Sequence, residues 1–285
     1  YKLHNNFEYL SKVKTQRDWV EKNFNNAKKI LDYDSDYYKY QLSSIGFKPS
    51  YSYKDYQSIG LSIDQFVYKY PQFKKVDENT VQLYGKIIFK KDVVVPAGLK
   101  LIIKAGSQIY LDDSASVFSF SPVKFAGTDK WSIKLSRLNQ LKPWGSFAII
   151  NSVGTSTVEY TLFDGGSDDK YNGIYFSGML AVHNSPVNIS HSSFSKASAD
   201  DALNIKLSPG TVKNSIFKNN ISDAFDLDFP VGQFIIESNY FTENKGDSID
   251  ISFANVLIKD NIIKNGGDKG ISVGERSNAQ IEANK

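Results

Sequence analysis

Between residues 199 and 285 one short phrase of alternating apolar and polar positions is written four times. The copies are Asp201-Ala-Leu-Asn-Ile-Lys206, Asp223-Ala-Phe-Asp-Leu-Asp228, Asp247-Ser-Ile-Asp-Ile-Ser252 and Lys269-Gly-Ile-Ser-Val-Gly274. Their starts (201, 223, 247, 269) lie 22, 24 and 22 residues apart. Leu203 and Ile205, Phe225 and Leu227, Ile249 and Ile251, and Ile271 and Val273 alternate strictly with polar neighbours, the period-two signature of a strand with one buried face. A strand of about five residues has no stability alone and must pair with its counterpart in the next repeat. The period leaves no room for a crossover helix. The pattern therefore predicts a solenoid in which equivalent strands lie parallel, about 4.8 Å apart.

A second column supports the same winding. Ile189, Val212, Ile236, Ile258 and Ile281 align, and three residues further on stand Ser192, Ser215, Asn239, Asn261 and Asn284. Such a column can pass side-chain hydrogen bonds from coil to coil. Phe194, Phe217, Phe241 and Ile263 predict an internal stack. A β-sandwich would need a hairpin turn such as Asn-Gly between strand pairs, and these are mostly absent. The fold class expected is all-β, a single-stranded parallel β-helix. From about residue 81 the repeats resemble those of right-handed parallel β-helix proteins of the pectate-lyase-like superfamily, which implies a right-handed coil.

Residues 1–80 are read as an α-rich cap and 81–285 as the solenoid. Val20, Phe24, Ala27 and Leu31 form a helical stripe that predicts a helix over 16–31, with short helices expected over 37–44 and 63–70. Asn172-Gly-Ile-Tyr-Phe176 matches the first phrase of the later coils, and 179–186 is expected to hold a loop or an extra strand. His183 and His191 are read as loop and turn residues. The last repeat stops before its aromatic position, so the solenoid is expected to continue beyond this chain.

Composition narrows the classes. A net charge of +3 over 285 residues argues against nucleic-acid binding by bulk charge. The absence of cysteine rules out disulfides and thiolate metal sites. No stretch is long and apolar enough to span a membrane. The expected setting is secreted or at a bacterial cell envelope, the expected partner a polysaccharide.

Alternation sends Asn204, Lys206, Asp226, Asp228, Asp250 and Ser252 to the outward face of one sheet, while Asp201, Asp223 and Asp247 precede it in the turns. Carboxylates one strand apart repel unless a cation, a lysine or a shared proton intervenes. Three arrangements satisfy this. The face is polar for solubility, with Lys206 neutralising Asp228 and the turn aspartates locally bonded; or Asp223 and Asp247 help hold calcium, which suits oxygen ligands from adjacent coils; or the aspartates catalyse. Residues two apart on a strand, such as Asp226 and Asp228, lie about 7 Å apart, within the span of an inverting glycosidase pair.

The last arrangement has a family echo. Asp200-Asp201-Ala-Leu-Asn-Ile-Lys206 resembles the Asp-Asp coil of polygalacturonase-type glycoside hydrolases, and Asp268-Lys-Gly-Ile-Ser-Val-Gly-Glu275 resembles their Gly-His-Gly-Ile-Ser coil. Two coils intervene here, and Lys269 replaces the histidine. The candidate catalytic set is Asp226, Asp228, Asp250 and Lys206. Asn204, Tyr175, Trp144 and Arg276 are candidate substrate contacts, the two aromatics by stacking on sugar. A lyase or epimerase using Lys206 or Arg276 as base with calcium stands second to hydrolysis, and a non-catalytic scaffold of a larger surface protein is the alternative to both.

Overall fold

The computed structural model describes residues 60–285. The helices expected over 16–31 and 37–44 lie outside them. The expected third helix is present as α1, Ile63–Lys69, started by a capping box in which the Ser62 hydroxyl accepts from Gln65 N–H and the Gln65 side chain accepts from Ser62 N–H. Its Ile63 and Phe66 join the apolar core, with Phe66 against Phe73 and Phe73 stacked on Phe89. No helix among the described residues is long and apolar enough to cross a membrane.

From Thr80 onward the chain winds as a parallel solenoid of about nine turns. Each regular coil contributes one strand to each of three sheets, one of ten strands and two of eight, as in the run Asp201–Lys206, Gly210–Lys213, Ile216–Lys218. The sheet that carries the repeated phrase consists of β1 (Val93–Val95), β2 (Val117–Ser119), β3 (Phe147–Ile150), β4 (Gly178–His183), β5 (Asp201–Lys206), β6 (Asp223–Asp228), β7 (Ile249–Ser252) and β8 (Ile271–Val273), in spatial order. Leu203, Phe225, Ile249 and Ile271 are in register, as are Ile205, Leu227, Ile251 and Val273.

Left-handed residues make the corners. Asn151, Asn184, Leu207, Phe229, Phe253 and Arg276, with φ of 48–52°, turn successive coils out of the β1–β8 sheet. Asn tolerates this region well, whereas Leu, Phe and Arg hold it against a steric cost that neighbouring coils must offset. The offset is visible beside each corner. Ser215 N–H donates to Asn239 Oδ1 (3.0 Å), Asn239 Nδ2 to Asn261 Oδ1 (3.0 Å), and Asn261 Nδ2 to Asn284 Oδ1 (2.9 Å), a ladder whose Ser215, Asn239 and Asn261 are buried. Asn220 and Asn244 make a second (2.7 Å), and Ser152, Ser185 and Ser208 a third. Inside, Phe163, Phe194, Phe217 and Phe241 stack at centroid separations of 5.0, 4.8 and 4.8 Å.

Two expectations change. Residues 172–176 are not a solenoid strand: Ile174–Phe176 forms its own two-stranded sheet with Asp169–Tyr171. The strand in register with the repeated phrase is β4, in which every residue is buried. Its sequence, Gly-Met-Leu-Ala-Val-His, is apolar on both faces because both are covered, so it lacks the alternation that marks the later phrases. His183 accordingly ends a buried strand rather than standing in an open loop. The chain divides into two compact units. One includes residues 170–175, and the other contains the remaining described residues.

Candidate functional site

The outward face of the β1–β8 sheet changes character along its length. At its first coils the outward positions are Phe118, Ala148 and Ala181, all fully buried. Phe176 packs on this face, 5.7 Å from Phe118 and 4.9 Å from the His183 ring. From β5 the same column becomes Asn204, Asp226, Asp250 and Ser272. The next outward column runs His183, Lys206, Asp228 and Ser252. The register expected from alternation is thus present, and it brings Asn204, Lys206, Asp226, Asp228 and Asp250 together on adjacent strands.

These side chains form a connected network. His183 Nε2 lies 2.9 Å from Asn204 Oδ1, and Asn204 Nδ2 donates to Asp226 Oδ2 at 2.7 Å. Burial pushes the His183 imidazole down to about 3, and the Lys206 charge adds to this, so the ring is neutral at ordinary pH. Lys206 Nζ stands 3.2 Å from Asp228 Oδ2. Asp226 is held well above the usual carboxylate range, first by burial, then by the charges of Asp228 and Asp201. Asp250 is raised more simply: burial dominates, and the Ser272 hydroxyl opposes it. One face therefore carries a carboxyl held well above its ordinary range two residues from a carboxylate paired to lysine.

The turn aspartates do a different job. Asp223 Oδ1 accepts from Asp247 N–H (2.7 Å), and Asp247 Oδ1 accepts from Lys269 N–H (2.8 Å). Asp92 repeats the bond to Ser116 N–H (3.0 Å) near the start of the sheet. Lys269 Nζ also lies 3.2 Å from Asp247. Asp92, Asp223 and Asp247 thus each tie their coil to the next. Among the described residues no group of three or more His, Asp or Glu side chains could hold a metal ion.

Trp144 and Arg276 lie elsewhere in the solenoid. Trp144 is fully buried, its indole N–H donating to Asp164 O (2.9 Å) and its ring against Gly166, where an added Cβ would come within 2.7 Å. Its part is packing, and its ring is not presented to a sugar. Tyr175 belongs to the 170–175 unit, its ring centroid 5.5 Å from Lys170 Nζ. Arg276 is a corner residue after β8, in the row of Phe229 and Phe253, off the strand face. His183 was missed from sequence because its strand lacks alternation. The signal that would have found it is spacing, since His183 stands 23 residues before Lys206.

A family model described as the right handed beta helix region matches residues 107–285. The chain belongs to the right-handed β-helix family. The match gives the solenoid its hand and is consistent with the pectate-lyase-like superfamily. No curated protein and no solved structure matches the chain.

Proposed function

We propose that this β-helix protein, outside the cell or at its envelope, binds a polysaccharide across the β5–β7 face and hydrolyses its glycosidic bonds. The observation that carries this reading is the unequal pair on β6: Asp226, whose carboxyl burial and its neighbours' charges hold well above the ordinary range, and Asp228, ion-paired to Lys206. Unequal carboxyl environments are what separate acid from base in glycoside hydrolysis. Asn204 donates to Asp226 Oδ2, which leaves Oδ1 to carry the proton. Asp226 gives that proton to the glycosidic oxygen as its bond to the anomeric carbon breaks. Asp228 takes a proton from the water that attacks that carbon from the opposite side. The spacing of about 7 Å leaves room for this water and supports inversion. Asp250, half-exposed one strand from Asp226, is placed to hydrogen-bond sugar hydroxyls, while the buried Asn204 is occupied by His183 and Asp226 and orients the acid.

A second reading has its own support. The backbone bonds of Asp223 and Asp247 and the Lys206–Asp228 pair are what a non-catalytic scaffold would use to tie its coils together. The test is incubation with a panel of neutral and acidic polysaccharides, following both reducing ends and the ultraviolet absorbance of unsaturated uronates. Hydrolysis predicts new reducing ends from at least one polymer, lost in both Asp226→Asn and Asp228→Asn. Unsaturated products would replace hydrolysis by elimination. No product from any polymer would leave the scaffold.

A further inference from the structure

A second surface, at the corner between the ten-stranded sheet and the eight-stranded sheet that contains Ile133–Arg137, carries the most exposed large aromatic rings of the solenoid's first coils. Trp131 is 60% exposed and Tyr84 67%. The corner is enlarged at Trp131. There the chain runs through residues 127–132 between Val123–Ala126 and Ile133–Arg137, whereas one coil later Tyr160 alone joins Ser156–Glu159 to Thr161–Asp164.

The enlarged loop is built rather than slack. Thr128 N–H donates to Trp131 O and Trp131 N–H to Thr128 O, both at 3.1 Å, and the Thr128 hydroxyl also accepts from Trp131 N–H. Gly127 is required where the loop leaves the sheet, because a Cβ would come within 2.5 Å of the Glu159 and Tyr160 carbonyl oxygens. Trp131 O accepts from Gly106 N–H, and the indole lies over Gly106, where even an added Cβ would keep 3.9 Å from it. The fold thus fixes a tryptophan outside the core. At the same corner of the following coils, Tyr160 and His191 stack at 4.7 Å.

The rings are set among lysines. Lys130 Nζ is 5.9 Å from the Trp131 ring centroid, Lys104 Nζ 5.8 Å from that of Tyr84, and Lys86 Nζ 5.5 Å from that of Tyr110. Lys86 and Lys134 occupy one outward column of the adjoining sheet, with Gln108 between them. All four lysines are exposed. Asp129 and Glu159 stand beside the loop, so hydrogen-bond acceptors are interspersed with the positive charge.

We infer that this ridge is a second carbohydrate-binding surface, for an acidic polysaccharide: the Trp131 indole stacks on the C–H face of a sugar while Lys104 and Lys130 pair with carboxylates of neighbouring units. An exposed aromatic ring gains by covering apolar sugar C–H groups, and the lysines add charge complementarity. The Asp129 and Glu159 carboxylates can accept hydrogen bonds from a sugar's hydroxyls. The inference stands whether or not the β6 pair catalyses.

The experiment is affinity electrophoresis of the chain through gels containing polygalacturonate, a neutral glucan or single-stranded DNA. Polygalacturonate is expected to retard the protein and the glucan is not. Trp131→Ala should weaken the apparent affinity about tenfold, the size of one lost stacking contact. The double change Lys104→Gln with Lys130→Gln should also weaken it and reduce its salt dependence. Trp131→Ala should leave any release of reducing ends unchanged, which separates this surface from the proposed hydrolytic one. Equal retardation of wild type and Trp131→Ala, no retardation by polygalacturonate, or retardation by DNA instead would each overturn the inference.

Discussion

Replacing Asp223 by Asn should stabilise the protein at neutral pH and leave it unchanged in acid. Burial raises the Asp223 carboxyl from its ordinary 3.8 to about 6; the Asp247 N–H opposes this, and the charges of Asp247, Asp250 and Asp200 reinforce it. The folded protein then binds this proton more tightly than the unfolded chain, so stability falls as pH rises from about 4 to about 6 and stays lower above that. For a fully buried carboxyl the separation would be worth about 3 kcal/mol. Asp223 is only half-buried, and solvent screening reduces the figure to about 1 kcal/mol. Asn keeps the Oδ1 that accepts from Asp247 N–H at 2.7 Å, so the coil-to-coil bond survives while the titration disappears. Thermal unfolding should show Asp223→Asn and wild type within a degree at pH 3.5, and the variant about 2–4 °C higher at pH 8. A variant less stable at pH 8, or a difference that does not vary with pH, would refute the reasoning.

The asparagine ladder allows a second test. Asn239→Ala leaves the buried Ser215 N–H without its Asn239 acceptor and removes the amide bonds from Asn239 to Val212 O and Asn261 Oδ1. It should cost about 2–4 kcal/mol in urea unfolding, and a loss below 1 kcal/mol would mean that the ladder is not a source of stability. Calcium at millimolar concentration should leave the melting temperature unchanged, because Asp223 and Asp247 each give an oxygen to backbone N–H of the next coil. A rise of several degrees, by preferential binding to the folded state, would return the turn aspartates to a metal site.

The fold was legible wherever apolar and polar residues alternate along a strand. In β6 to β8 the apolar residues point into the solenoid and the polar ones out of it, and β5 keeps the same alternation although its outward Asn204 is buried, so alternation alone gave strand, register and outward set together. The columns Ser192–Asn284 and Phe194–Ile263 added position-specific chemistry that an arbitrary apolar pattern would not have. Legibility failed at β4 because Phe176 and the solenoid interior bury its two faces at once, so Met179 and Ala181 carry no polar signal. Ile174–Phe176 imitated the repeat because a short hairpin strand alternates too. Trp144 shows a different limit. Sequence supplies a ring at a corner but not which side it faces, and here Gly166 makes room for it inside.

The site's electrostatics come from position along the solenoid and not from the phrase. Asn204, Asp226, Asp250 and Ser272 are equivalent by register, and a repeat that stacks like residues would ordinarily line up like charges. Two substitutions break the line. Asn204 places a neutral donor on the inner side of Asp226, joined to neutral His183, and Ser272 places another donor beyond Asp250. Between them, burial is greatest next to the covered coils and declines toward β8, where Ile271 and Ser272 are half-buried and Val273 exposed. Asp226 therefore sits at the boundary between a desolvated face and an open one, and the first raises its carboxyl well above the ordinary range. Lys206 in the adjacent column fixes the complementary charge at Asp228. A uniformly exposed column would not set its carboxyls apart in this way, because desolvation is the leading cause of the rise at Asp226 and also at Asp250. What makes the carboxyls of one face unequal is the point at which the cover ends.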